Sequence, residues 1–158
     1  MLSAGRRSTI PLMATPPHSP DYRISNSQEE MDVDAIHAYL TRSYWAAGIP
    51  RDVVARSIKG SLCFGIFLGS AQVGFARVIT DHATYGYLAD VYVLEGHRGL
   101  GLSKRLMAAV LSHPDLQGLR RIQLRTRDAH GLYRQFGFTQ DAKPESQMEL
   151  QRPLAYGG

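Results

Sequence analysis

Residues 91–107 read Val-Tyr-Val-Leu-Glu-Gly-His-Arg-Gly-Leu-Gly-Leu-Ser-Lys-Arg-Leu-Met, and this stretch holds the residue types that cradle an anion. The pattern predicts a strand ending at Val93, a loop containing Arg98-Gly99-Leu100-Gly101, and a helix beginning at Leu102. Glycines let backbone N–H groups converge on a bound group, and a helix N-terminus adds about half a positive charge. Ser103 contributes a hydroxyl, and Arg98, Lys104 and Arg105 contribute full charges. Together they suit a pyrophosphate. The spacing matches neither a Walker loop nor a three-glycine dinucleotide fingerprint. A plain tight turn would use the same glycines, and Lys104 equally fits a solvated helix face.

The charge distribution points the same way. The chain carries 18 basic and 14 acidic residues, for a formal +4, and 15 of the basic residues are arginine. Residues 98–134 alone hold +6, whereas residues 21–97 hold −3. Arginine's planar fork suits phosphates. The readings to separate are nucleic acid, a phosphorylated cofactor and a solvated basic face. Against nucleic acid, the arginines are spread over a loop, two helices and a strand, without interleaved stacking aromatics. Arg121, Arg125 and Arg127 do alternate on one predicted strand.

The elements that must position these residues follow from periodicity. Tyr22 to Ser25 reads as a short strand. Val33, Ile36 and Leu40 recur at helical spacing within a helix expected over 32–42. Pro50 opens a second helix with Val53, Val54 and Ile58 as its stripe. Strands are expected over 62–68 and 71–80, joined by a Gly69-Ser70 hairpin turn, and over 85–93. A helix over 102–113, a strand over 121–126, a short helix over 129–136 capped by Asp128, and a last strand over 148–150 complete the order β-α-α-β-β-β-α-β-α-β. Consecutive hairpins argue for a mixed sheet, and the unit over 85–126 for one parallel crossover. The fold class is α/β (α+β).

Length and composition bound the rest. The 158 residues suit one domain, and 44% apolar with 20% charged residues excludes global disorder. A single cysteine, Cys63, excludes an intramolecular disulfide scaffold and a multi-cysteine metal site. No apolar run approaches the ~20 residues of a membrane span. Residues 1–20 contain Arg6 and Arg7, no acid and several prolines. They loosely resemble an organellar transit peptide, but Pro11, Pro16, Pro17 and Pro20 break any amphipathic helix. A disordered extension over 1–20, a domain over 21–158 and a cytoplasmic location are expected.

The glycine loop and its surroundings resemble the GCN5-related N-acetyltransferase (GNAT) family. That family carries [RQ]-x-x-G-x-[GA] after a strand ending in V-x-V. The match is Arg98-Gly-Leu-Gly101-Leu-Ser103 after Val91-Tyr-Val93. Ser103 departs from Gly or Ala at a position that supplies mainly a backbone N–H. A second family element, A-x-x-[LF]-Y-x-[KR]-x-G-F, is matched by Ala129-His-Gly-Leu132-Tyr133-Arg134-Gln-Phe-Gly137-Phe138, apart from Gln135 at the basic position. The resemblance covers roughly residues 22–152.

The resemblance implies a single-domain, mostly antiparallel sheet of six to seven strands flanked by helices, with a splay between its two central strands. It implies direct attack of an amine on acetyl-CoA, without a metal. The cofactor would be held by Val91, Val93, Arg98, Gly99, Leu100, Gly101, Leu102 and Ser103. Val91 supplies a polarising N–H, and Val93 holds the pantetheine arm through its main chain. Tyr133 is the candidate acid for the leaving thiolate, because a phenol pKa of about 10 lies above that of a thiol. At helical spacing it equally fits a core aromatic. Asp90 is the candidate base, since a carboxylate within an apolar strand asks for an explanation. A structural hydrogen bond or an outward-facing side chain would also supply one. Tyr39, Tyr44 and Trp45 would line the acceptor pocket or form a hydrophobic lid. The expected acceptor is a primary amine of a small molecule or a peptide, with no nucleic acid and no membrane as partner, and a homodimer is allowed. The alternative is a noncatalytic module that binds acyl-CoA.

Overall fold

The computed structural model describes residues 20–153 and Tyr156. The expected extension therefore lies, except for Pro20, outside the described residues. The elements are β1 (Tyr22–Ser25), α1 (Val33–Leu40), α2 (Arg51–Lys59), β2 (Leu62–Leu68), β3 (Ala71–Thr80), β4 (Tyr85–Val93), α3 (Leu102–Leu111), β5 (Arg121–Gln123) and α4 (His130–Arg134), with three short 3-10 turns between them and a fourth after α4. Asp32 caps α1 by accepting from the Ala35 N–H at 3.0 Å. Pro50 stands at the N-cap of α2.

One five-stranded sheet runs in the order β1-β2-β3-β4-β5. The first four strands pair antiparallel, and β5 pairs parallel to β4. Two expectations need correction. The sheet has five strands among the described residues, not six to seven. Met148 and Leu150 of the expected last strand lie 97% and 83% exposed, outside the sheet. Glu149 between them reaches Arg125 at 2.6 Å, so an ion pair rather than a backbone ladder ties this segment down. The splay lies between β4 and the edge strand β5, not between central strands. Their pairing stops after Tyr85↔Arg121, Gly86↔Ile122 and Tyr87↔Gln123. Beyond this point β4 continues for six residues with no ladder on that side.

Both sheet faces are covered. Leu106, Met107 and Val110 of α3 pack against Phe64, Ile66, Val78 and Leu88. Ile36 and Leu40 of α1 and Val54 and Ile58 of α2 cluster with Cys63, Phe75 and Tyr92 on the other face. This explains why β2 reads Leu-Cys-Phe-Gly-Ile-Phe-Leu without alternation. Each fully buried side chain of this size contributes about 1.5–3 kcal/mol. The alternation of β4 between the faces is broken at one point, and the candidate site is built there.

Candidate active site

The site starts from the loop before α3. Gly99 and Gly101 adopt φ of +78° and +74°, the left-handed region that glycine enters without strain. Nothing lies within 4 Å of where a Cβ would stand on either residue. The space in front of them is therefore open, and backbone conformation alone demands glycine. Gly101 is the N-cap of α3 and makes no side-chain cap. The first-turn N–H groups consequently have no capping side chain and face outward. They open onto a cleft of about 280 Å³ lined by Val93, Arg98, Gly99, Gly101, Leu102, Ser103, Lys104, His97 and Leu132. An open glycine turn, an uncapped helix end and a lysine at the rim form a donor set that fits a diphosphate.

The side chains of the predicted cofactor set divide. Leu102 is buried in the α3-side core, Val91 packs partly against that core, and Leu100 is 55% exposed. Arg98 lines the cleft and is also tied to the main chain. Its Nε–H donates to the Val93 carbonyl at 2.9 Å, and Nη2 lies 3.1 Å from the Tyr39 hydroxyl. It thus fixes the end of β4 to α1 as well as lining the cleft. Arg105 donates to the Tyr22 carbonyl at 2.7 Å.

Between Phe75↔Tyr92 and Arg77↔Ala89, β4 carries one residue more than β3. At this bulge Asp90 adopts φ +56°, which is uncommon for a residue with a side chain. Its carboxylate holds the turn. The Arg77 Nε–H donates to Oδ2 at 2.5 Å, and the Trp45 Nε1–H donates to Oδ1 at 2.9 Å. Arg77 also reaches the Ser61 hydroxyl at 3.1 Å. The Asp90 and Arg77 side chains are 9% and 16% exposed, so the pair is largely shielded. The carboxylate in the apolar strand thus has a partner in the next strand, and both of its oxygens are engaged.

Tyr39, Tyr44 and Trp45 come together as an aromatic wall beside the bulge. Tyr39 stacks on Tyr92 with centroids 3.9 Å apart and planes 7° from parallel. Trp45 meets Tyr44 edge-on at 5.1 Å. Arg42 lies over the Tyr39 ring at 4.5 Å, and Arg127 over the Tyr44 ring at 3.9 Å. Arg42 also pairs in bidentate fashion with Glu95, at 2.7 and 3.0 Å, and holds that carboxyl down at about 2. Trp45 and Tyr44 remain 40% and 53% exposed, so the wall presents its rings to solvent.

Tyr133 sits on α4, next to Leu132 at the edge of the glycine cleft. It is buried and packs edge-on against Phe138 at 5.9 Å. Burial pushes its phenol up to about 12, and nearby Tyr44 and Asp128 add to the shift. The hydroxyl therefore stays protonated across the neutral range. The start of α4 is held by Thr126, whose hydroxyl accepts from the Ala129 N–H at 2.9 Å, in place of the expected Asp128 cap.

Sequence reasoning missed Arg77, Arg127 and His97. Arg77 had a readable signal: it is a charge inside an apolar strand, opposite in sign to Asp90 in the next strand. Arg127 and His97 had none, since their partners Tyr44 and Tyr22 lie 83 and 75 positions away in the chain.

Comparisons with known proteins agree with this geometry. The family model described as Acetyltransferase (GNAT) family matches residues 22–138. A Gibberella zeae protein described as a candidate acetyltransferase is 35% identical over 136 residues, covering 72% of this chain and 76% of its own. The crystal structure of a candidate GNAT acetyltransferase from Xanthomonas campestris pv. campestris superposes with a TM-score of 0.85 at 51% identity. It spans 88% of this chain and 99% of that one. A Deinococcus radiodurans crystal structure, at 19% identity and a TM-score of 0.67, shares the fold over 84% of this chain and 89% of that one. The glycine turn before an uncapped helix, the bulged strand beside it and these likenesses belong together: the chain is a member of the GNAT acetyltransferase family.

Proposed function

We propose that the protein is an N-acetyltransferase that moves an acetyl group from acetyl-CoA to a primary amine of a small molecule by direct attack. The observation that carries this reading is that the uncapped α3 N-terminus opens on a cleft lined by Val93 and Leu132, with the β4 bulge at Asp90 and Val91 just before Val93 in the same strand. Acetyl-CoA supplies the activated thioester. The N–H groups of residues 99–103 hold its diphosphate, and Lys104 adds charge at the rim. The irregular main chain at Val91 offers the polarising N–H, and Val93 anchors the pantetheine arm. Tyr133 holds the proton that neutralises the departing thiolate.

Asp90 positions the bulge in this reading. With Arg77 and Trp45 on its two oxygens, it stays out of the proton transfer, and the amine loses its proton to water. The same engagement gives weight to a second reading, a noncatalytic module that binds acyl-CoA. The two separate in one experiment. Purified protein is tested for a thermal shift with acetyl-CoA and for free-CoA release across a panel of primary amines. A shift with amine-dependent release is the expected result. A shift without release from any amine supports the binding module, and no shift at millimolar acetyl-CoA sinks both.

A further inference from the structure

Four arginines touch the aromatic wall or the bulge, and three are engaged. Arg42 is paired with Glu95, Arg77 with Asp90, and Arg98 with the Val93 carbonyl and Tyr39. The fourth, Arg127, is exposed, lies over the Tyr44 ring with its guanidinium carbon 3.9 Å from the centroid, and pairs with no carboxylate among the described residues. Arg125, two positions earlier, is taken by Glu149. A guanidinium held over a ring keeps its N–H donors free for a planar carboxylate, which it meets with two parallel bonds. Tyr44 meets Trp45, whose indole N–H sits on Asp90, so Arg127 stands two aromatic rings from the bulge. Tyr44 is also close enough to Tyr133 to raise its pKa. Among the described residues Arg127 is therefore a cation without a carboxylate partner, held beside the aromatic wall. The one carboxylate at the bulge is already neutralised by Arg77.

We propose that Arg127 is a specificity residue that receives a carboxylate of the acceptor. The acceptor is then an amine that also carries a carboxylate, of amino-acid type, with its apolar part against Tyr44 and Trp45. This inference rests on the N-acetyl transfer reading.

The test compares matched amines with and without the carboxylate: L-phenylalanine against 2-phenylethylamine, and γ-aminobutyrate against butylamine. CoA release is measured at equal free-base concentrations. The carboxylate member should have the higher kcat/KM by about tenfold, as expected for a charge-assisted pair, and the advantage should shrink with added salt. Arg127→Met keeps an apolar stack on Tyr44 and should bring the ratio close to one, with the acetyl-CoA thermal shift unchanged. A wild-type ratio of one or less, or a ratio that survives in Arg127→Met, overturns the assignment while leaving amine acetylation standing. A second arm titrates CoA-loaded protein calorimetrically with L-phenylalanine and 2-phenylethylamine. A carboxylate preference lost in Arg127→Met, with no CoA release from any amine, keeps the assignment and overturns N-acetyl transfer. Binding of neither probe, or of both equally, overturns the assignment.

Discussion

Asp90 and Arg77 face each other across β4 and β3, with the Arg77 Nε 2.5 Å from the Asp90 Oδ2, at the one point where β4 carries an extra residue. Each is a charge in an apolar strand, and each compensates the other. Removing one partner leaves the other buried and uncompensated, which costs about 3 kcal/mol. Asp90→Asn tests the charge without disturbing the backbone, because asparagine tolerates φ of +56° about as well as aspartate. We expect Asp90→Asn and Arg77→Met each to lower urea stability by about that amount. The double variant should lose clearly less than the sum, and strict additivity would contradict the pairing. The rising limb of the pH–rate profile should follow the acceptor's own amine pKa in both wild type and Asp90→Asn. A limb that disappears in Asp90→Asn would return Asp90 to the role of base.

Gly101 predicts a different failure. A side chain there has room, since nothing lies within 4 Å, but φ of +74° costs an L-residue about 1–2 kcal/mol. Gly101→Val should fold with a lowered Tm and lose most of the thermal shift with acetyl-CoA, because its side chain projects into the open turn. An undiminished shift would place the diphosphate elsewhere.

Tyr133→Phe keeps the edge contact with Phe138 and removes only the hydroxyl. Acetyl-CoA binding should persist while kcat falls about 10²-fold, the lower range for loss of a general acid. The pH dependence has a definite sign. The folded pKa, about 12, is raised above the unfolded value of about 10. The stability held by the neutral phenol is therefore complete below about pH 10 and is lost as pH rises towards about 12. Turnover should show no falling limb from this group through the neutral range. An unchanged kcat in Tyr133→Phe would remove the residue from the chemistry.

Glu95 gives a readout of how the aromatic wall is anchored. Arg42 holds its carboxyl down at about 2, below the usual value, and Arg98 assists. The pair is thus intact above the ordinary glutamate range and breaks as pH falls through about 2. An NMR titration of Glu95 should show the low midpoint in wild type, and Arg42→Met should return it towards about 4.3. A midpoint that does not move would mean that this ion pair is absent in solution.

Most of the fold was legible because its signals are local. The hairpin at Gly69-Ser70, the continuous apolar run of β2 and the glycine turn before α3 depend on neighbouring residues and came out where the pattern placed them. The segment over 148–150 misled because three alternating residues make a strand only if their backbone pairs with a neighbour, and this segment joins no strand of the sheet. Glu149 is instead drawn to Arg125. Arg98 and Arg105, whose charges read as part of the phosphate cradle, also make contacts that no local pattern shows. Arg105 is spent on the Tyr22 carbonyl and Arg98 largely on the Val93 carbonyl and Tyr39.

The sequence by itself determined the order of elements, the glycine turn that must leave an open helix end, and the two motifs that resemble the family. These are set by backbone conformational preference and by side-chain periodicity, which act over a few residues. Only the tertiary structure decided which charge meets which. It placed Arg77 against Asp90, Trp45 on the same carboxylate, and Arg127 on Tyr44. Each of these contacts joins segments whose separation along the chain carries no trace of their distance in space. At this site the ionic partners, not the residue types alone, decide which groups are left to meet a substrate.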